Sequence, residues 1–346
     1  MSRWFFAFAC LFLLFCQGLC LSLCTFSYLG RHGQFFELTT HFQPFYFVFA
    51  LLLLGLSLCL CLLLKPVQKR ISFAVLLSVL PAMTLIGSGY RLYPYFLSAH
   101  QKTAAGSEKI TLLHCNLWGG RNRDRLSFLS LVQKEKPDLV AVCEVEDKWH
   151  GLLSTSLKQA YPYCITFPHV GGVELYSRYP LEGEVRLSER GHRPRIFAHV
   201  HLGRQVVSLV VAHPPTPVGE AKRLKARNRE FEIYALECSK SRAEGLPYLV
   251  IGDLNCTPWS PYFRKLLREG SLKDCGVGMG LMPTWPNTAA LTYGLLPGNI
   301  GTGAVLPIDH CLVSRDLTVL EKRVLGPVGS DHLPILVRLA LPAGKS

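Results

Sequence analysis

The sequence predicts an α/β protein, a sandwich of two β-sheets with helices outside, preceded by three transmembrane helices. Three observations carry that prediction. Residues 1–100 contain three long apolar stretches free of charge. Beyond residue 108, short apolar runs alternate with segments of helical periodicity, then give way to turn-bounded strands; two sheets flanked by helices accommodate both patterns. Several of those runs are bordered by an acid, amide or imidazole, as at Gly252-Asp253-Leu254-Asn255 and Gly329-Ser330-Asp331-His332.

The apolar stretches are residues 4–24, 44–64 and 71–90, each about 20 residues and long enough to cross a bilayer core. Pro81 is tolerable inside a membrane helix. Arg3 precedes the first stretch, but no small-x-small cleavage site follows it, so it is expected to remain as an uncleaved anchor. The membrane anchor is thus residues 1–100, followed by a polar linker at 101–108 and one domain at 109–346, a size a single core can support. Orientation follows from the basic connection 65–70, with Lys65, Lys69 and Arg70, against a first loop where Glu37 offsets Arg31. That connection is expected on the cytoplasmic side of the membrane. The domain then lies on the outer, extracytoplasmic side, with Tyr90, Arg91, Tyr93 and Tyr95 as an interfacial belt.

The net charge of +13 is uneven: residues 1–100 hold six Lys or Arg and one acid, leaving a surplus of +8 in the remainder. A surplus of that sign favours a polyanion or an anionic bilayer, or serves only as a solubilising surface. Seven of the thirteen cysteines follow residue 100, with no Cys-x-x-Cys pair, which disfavours a zinc knuckle or a thioredoxin motif. The number is odd, and Cys115, Cys143 and Cys311, each inside a strand-like apolar run, read as buried free thiols, a state at odds with an oxidising exterior.

Strands are expected at 110–115, 139–143, 173–176, 185–187, 196–202, 206–212, 248–251, 308–313, 317–324 and 335–341. Helices are expected at 123–135, 152–160, 220–242 and 259–268. In the first of these Leu126, Leu129 and Val132 share a face. The 220–242 helix is basic, with Lys222, Arg223, Lys225, Arg227 and Arg229; it suits a nucleic-acid backbone or is simply a solvated face.

The chemistry gathers where strands begin or end. Asn116, Glu144, His213, Asp253, Asn255, Asp309, Asp331 and His332 all border apolar runs. Alone, each is equally a turn residue, a cap or a satisfied core-edge polar group. Together they make a rim of oxygen and imidazole groups suited to a hard divalent cation and a phosphate ester.

In series these strings resemble the endonuclease/exonuclease/phosphatase superfamily, which includes deoxyribonuclease I. The matching segments are Leu113-His114-Cys115-Asn116, residues 136–144 ending in Cys143-Glu144, residues 175–180, Ala212-His213, residues 251–260, Ile308-Asp309-His310 and residues 329–334. They follow the family's order across 109–341, and the apolar N-terminal helices resemble membrane-anchored bacterial members. The resemblance implies Mg²⁺, or Mn²⁺, held by Asn116, Glu144 and Asp331. Asp253 positions or deprotonates the attacking water, Asn255 orients water and phosphate, and His332 donates to a phosphoryl oxygen with its imidazole held by Asp309. His213 contacts the phosphate or protonates the leaving group. It implies a phosphodiesterase acting on nucleic acid or a lipid headgroup, with membrane lipids as partners of the helices.

A phosphomonoesterase and a non-catalytic binding module on the same fold are the alternatives. The Asp-x-His and Gly-Asn-His-Glu strings of calcineurin-like phosphoesterases are absent. His310 is expected to be structural and His114 to pack beside the site. Glu174 stands where related chains carry a small or apolar residue, as a surface charge or to repel an additional phosphate.

Overall fold

The computed structural model describes residues 3–62, 67–97, 107–188, 193–203, 205–287 and 303–342. Residues 101–106 of the expected linker, and 63–66 at the expected basic connection, lie outside the described residues. The chain divides into two units, residues 1–96 with Trp259–Pro261, and the rest.

The first unit is built on α1 (Arg3–Phe26), α2 (Gln34–Thr39), α3 (Gln43–Leu62) and α4 (Val67–Leu92). Three spans, Phe6–His32, Gln34–Leu62 and Ser72–Tyr95, are long and apolar enough to cross a membrane. Their outward faces carry exposed Phe8, Leu11, Phe12, Leu52 and Ile86, while polar side chains turn inward. Gln17 Nε2 donates to Ser57 Oγ at 2.8 Å and to the Leu77 carbonyl at 3.1 Å, so polar groups join the helices where apolar surface gains nothing against lipid. Two expectations change here. Lys69 and Arg70 belong to α4 rather than to a loop. Arg91 is not exposed alongside the tyrosines of the expected belt: it is buried, donates to Ser27 and stacks on Tyr28, while Tyr90 and Tyr93 stay exposed.

The second unit begins with β1 (Lys109–Asn116), α5 (Arg125–Glu135), β2 (Leu139–Cys143), α6 (Asp147–Leu157), β3 (Tyr163–Phe167) and β4 (Val173–Ser177). It continues through β5 (Leu181–Leu187), β6 (Pro194–Leu202), β7 (Gln205–Ala212), α7 (Ala221–Ala243), β8 (Tyr248–Asp253) and α8 (Pro261–Glu269). It ends with β9 (Leu272–Asp274), β10 (Asp309–Ser314), β11 (Thr318–Val324) and β12 (Ile335–Ala340). The strands form two six-stranded sheets, ordered β11-β12-β1-β2-β4-β3 and β5-β6-β7-β8-β10-β9.

Each sheet has one parallel pair at its centre, β1 with β2 and β7 with β8, reached through α5 and α7. Strands buried on both faces need continuous apolar runs, and β2 and the apolar part of β8 are such runs. One core lies between the sheets, including Leu112, Leu175, Val211, Ile251 and Val337; others lie beneath α5 and α6 and beneath α7 and α8.

Helix α5 shows how local sequence sets these elements. Asp124 caps its start by accepting from the Ser127 N–H and hydroxyl. Lys136, in a left-handed conformation at φ 47°, ends it ahead of Pro137. Its buried face uses Phe128, Leu129 and Val132; Leu126, expected on that face, points to solvent. Helix α6 begins at Asp147, earlier than its periodicity indicates, because Trp149 plugs the core with Nε1 donating to the Gly119 carbonyl at 3.0 Å. The strands β3 and β9 are additions to the expected set: β3 is an edge strand with little buried surface and β9 has three residues.

Candidate active site

Parallel pairing puts the C-terminal ends of β1, β2, β7 and β8 at one rim. The antiparallel β10 and β12 start from that rim, where Asp309 pairs in register with Asp253 and Ile335 with His114. All the expected site residues therefore converge there.

Gly252 permits the approach on one side. A Cβ at this position would collide with the backbone carbonyl of Ala212, so only glycine lets β8 lie against the end of β7 beside His213. Gly329, at φ 77°, turns the chain where a side chain would meet Asn122 and Asp124. Glu144 and Asn255 take left-handed conformations at φ 55° and 48°, a backbone uncommon for Glu and one that Asn tolerates well, and both side chains project from tight turns.

Asn116 Nδ2 lies 3.2 Å from Glu144 Oε1 and 3.1 Å from Asp253 Oδ2, while its Oδ1 accepts the Trp118 N–H. In this orientation it clamps two carboxylates. Asp253 Oδ1 accepts the Asn255 N–H at 2.9 Å, and Asn255 Nδ2 donates to the Pro214 carbonyl, fastening the segment after His213. Burial raises the Asp253 carboxyl, which nearby Asp309 also opposes ionising, against the lowering effect of His332; the balance leaves it at about 6.

His332 Nδ1 lies 2.8 Å from Asp309 Oδ2, and its Nε2 faces Asp253 at 3.8 Å. Burial disfavours charge on this imidazole, but Asp309 and Asp253 outweigh it and push its pKa up to about 10. Asp309 is fully buried, which alone would raise its carboxyl; His332 and His114 overcome that and hold it well below the usual range. His114 is closer to the chemistry than packing alone requires. Its Nε2 lies 3.1 Å from Asp309 Oδ1 and its Nδ1 3.1 Å from the Ala141 carbonyl, so it clasps one sheet to the other.

His213 lies 3.6 Å from Asp253 and 3.7 Å from Glu144. Burial, and then Arg193, hold its pKa well below the ordinary value. Arg193 Nη1 sits 3.0 and 3.2 Å from the two ring nitrogens, against the turn at Gly171. Sequence reading missed this arginine, and it also missed Thr284, Trp285 and Asn287. Thr284 Oγ1 accepts the Asp309 N–H, Trp285 Nε1 donates to Asp331 Oδ2 at 3.2 Å, and Asn287 binds the Asp331 and Ser330 carbonyls. Ser330 Oγ donates to the Asn116 carbonyl and accepts the His332 N–H, linking the two halves of the site. No local pattern marks any of these as functional.

His310 is structural, as expected: Nε2 lies 2.8 Å from the Cys256 carbonyl, Phe263 packs on its ring, and burial lowers its pKa to about 4. Glu174 is neither a surface charge nor a guard against phosphate. It is fully buried between β2 and β3, 2.6 Å from His150 Nδ1, and accepts the Tyr176 hydroxyl at 2.5 Å. On α7 the basic residues are largely engaged: Lys222 with Glu220, Arg229 with Glu232, Lys240 with Glu237, and Arg227 buried against Phe231 and Tyr262.

Asp253, Asp309 and His332 place ligand atoms within 4.8 Å of one another. His332, however, is bound to Asp309 and held as a cation, a poor metal ligand. Glu144 and Asp331 fit a metal better. Asp331 Oδ1 is buried without a partner, Glu144 opens into the site, and no Lys or Arg among the described residues pairs with either. Unmatched carboxylates of this kind suit a hard divalent cation.

No curated protein matches the chain in sequence. Solved structures share its fold. Truncated TDP2 from Caenorhabditis elegans is 17% identical, with 67% of this chain and 98% of that one covered and a TM-score of 0.53. D. rerio TDP2 complexed with single strand DNA product is 15% identical, with 67% and 99% covered and a TM-score of 0.53. An endonuclease/exonuclease/phosphatase family protein from Bacteroides thetaiotaomicron is 19% identical, with 68% and 99% covered and a TM-score of 0.50. The model of the Endonuclease/Exonuclease/phosphatase family matches residues 113–332, from the strand bearing His114 and Asn116 to His332 itself. With well over half its length and every rim residue inside that match, the chain belongs to the Endonuclease/Exonuclease/phosphatase family.

Proposed function

We propose that this protein is a membrane-anchored phosphodiesterase that uses Mg²⁺, or Mn²⁺, to hydrolyse a phosphodiester of a nucleic acid or lipid headgroup by direct attack of water. The observation that carries this is the division of charge at the rim. Among the described residues Glu144, Asp253 and Asp331 have no Lys or Arg partner, while Asp309 is satisfied by two histidines. Glu144 and Asp331, with Asn116, are the residues that would hold the cation. When bound it polarises a phosphate oxygen and offsets charge gathering on phosphorus.

The remaining work falls to the side chains. Asp253, its pKa raised toward neutrality, accepts the proton of the attacking water, with Asn255 fixing its orientation. His332, kept cationic by Asp309, donates a hydrogen bond to a phosphoryl oxygen. His213, beside Asp253 and Glu144, and Arg193 against it form a further edge of the site, where an anionic phosphoryl oxygen meets a guanidinium.

The test is hydrolysis by the full chain in detergent of DNA, RNA, sphingomyelin, phosphatidylinositol phosphates and bis(p-nitrophenyl) phosphate, with Mg²⁺ and then with EDTA. Turnover of at least one diester, lost with EDTA, is expected. Absence of turnover on every member, together with no Mg²⁺ binding by calorimetry, would sink the proposal. For location, we propose an extracytoplasmic catalytic unit on the bacterial inner membrane, the helices in contact with membrane lipids. A reporter active only in the periplasm, fused after Ser346, should be active; cytoplasmic reporter activity instead contradicts that side.

A further inference from the structure

Away from the catalytic rim, the edge of the second sheet brings two thiols face to face. In the antiparallel pairing of β9 with β10, Leu312 opposes Asp274, and one step further Cys311 opposes Cys275. The Cys275 N–H donates to the Cys311 carbonyl at 3.1 Å, so the register continues through this pair. Directly opposed residues of an antiparallel pair lie about 5.5 Å apart at Cα and project on the same face, inside the range a disulfide spans. Both side chains belong to the core between the sheets and both are buried. Burial, and then the neighbouring Cys311, hold the Cys275 thiol well above its ordinary pKa, with buried Lys322 opposing them, so thiolate forms when the edge opens to water.

We infer that Cys275 and Cys311 form a covalent redox site, closing as an intrachain disulfide when the protein meets a disulfide oxidant. Burial does not prevent this, because β9 is a three-residue strand at the sheet edge, the kind of element that opens locally at low cost. In the opened state one cysteine thiolate attacks a sulfur of the oxidant disulfide and releases one thiol. The second thiolate then displaces the other, forming the Cys275–Cys311 bond. Two electrons pass to the oxidant, and two protons pass through solvent to its released thiols.

The bond would fasten the base of the segment that leaves β9 and carries Thr284, Trp285 and Asn287 to the catalytic strings. Cys311 also lies two residues along β10 from Asp309, on the same face. Oxidation therefore stiffens the support of the site without touching a group that meets substrate. The inference stands on strand register and does not depend on the proposed activity.

The test warms the full chain in detergent to just below its unfolding midpoint with oxidised glutathione. Free thiols are then blocked with N-ethylmaleimide in denaturant, and the unreduced digest is analysed by mass spectrometry. The expected product joins the Cys275 and Cys311 peptides with the loss of two hydrogen atoms. The unfolding midpoint of the catalytic unit should rise by roughly 5–10 °C over the dithiothreitol-treated protein. Cys275→Ser and Cys311→Ser should give neither the product nor the rise. Maleimide or glutathione on both cysteines, or linkage of either to a different cysteine, overturns the inference.

Discussion

Asp309 and His332 form a buried pair in which the carboxylate Oδ2 lies 2.8 Å from the imidazole Nδ1, and that contact fixes both orientation and charge. Asp309 is itself held from the other sheet by His114. The imidazole is thus delivered to the rim as a rigid cation rather than a mobile base.

Asp309→Asn keeps the shape but removes the charge that sustains imidazolium. Turnover of bis(p-nitrophenyl) phosphate should fall by about 10²–10⁴-fold, the usual range for losing a positioned acid or base. The fold, followed by circular dichroism, should remain. A loss under threefold assigns the donor role elsewhere.

Arg193 should separate binding from chemistry. Arg193→Ala is expected to raise KM for the same diester about tenfold or more, and Arg193→Lys to recover part of the loss, since a point charge replaces a planar fork. Equal KM for all three forms would make the arginine a mere neighbour of His213.

Glu174 gives a pH-dependent stability prediction. Burial raises its carboxyl above the unfolded value, despite the opposing effects of Tyr176 and His150. Its protonated form is therefore favoured by folding. The associated stability is fully present below the unfolded pKa and is lost as pH rises through the folded pKa. Glu174→Gln keeps hydrogen-bonding groups without an ionisation. Relative to wild type, its thermal midpoint should improve from pH 4 to pH 7 (roughly spanning the carboxylate range). A difference that is flat or reversed across that range contradicts the reading.

Much of the site was legible because buried strands announce themselves. The apolar runs before Asn116, Glu144, His213 and Asp253 place those residues at strand ends, and parallel pairing then carries them to one rim. Elements without a hydrophobic signature were not legible. The edge strand β3 and three-residue β9 bury too little to impose a period, and the exposed start of β5, with Glu182 and Glu184, looks like a turn. Arg193 and Trp285 reach His213 and Asp331 only through tertiary folding. Glu174 misled because an acid amid strand residues normally faces water, and its partner His150 lies on a separate helix.

The most direct measurement compares wild type and Asp253→Ala, both as full chains, for Mg²⁺-dependent hydrolysis of bis(p-nitrophenyl) phosphate. Circular dichroism and Mg²⁺ calorimetry are run on the same samples. The wild type should turn over with Mg²⁺ and stop with EDTA. The variant should stay folded, still bind Mg²⁺ through Glu144 and Asp331, and lose at least about 10²-fold in kcat. Undiminished hydrolysis by folded Asp253→Ala would contradict the assignment of water activation to this residue.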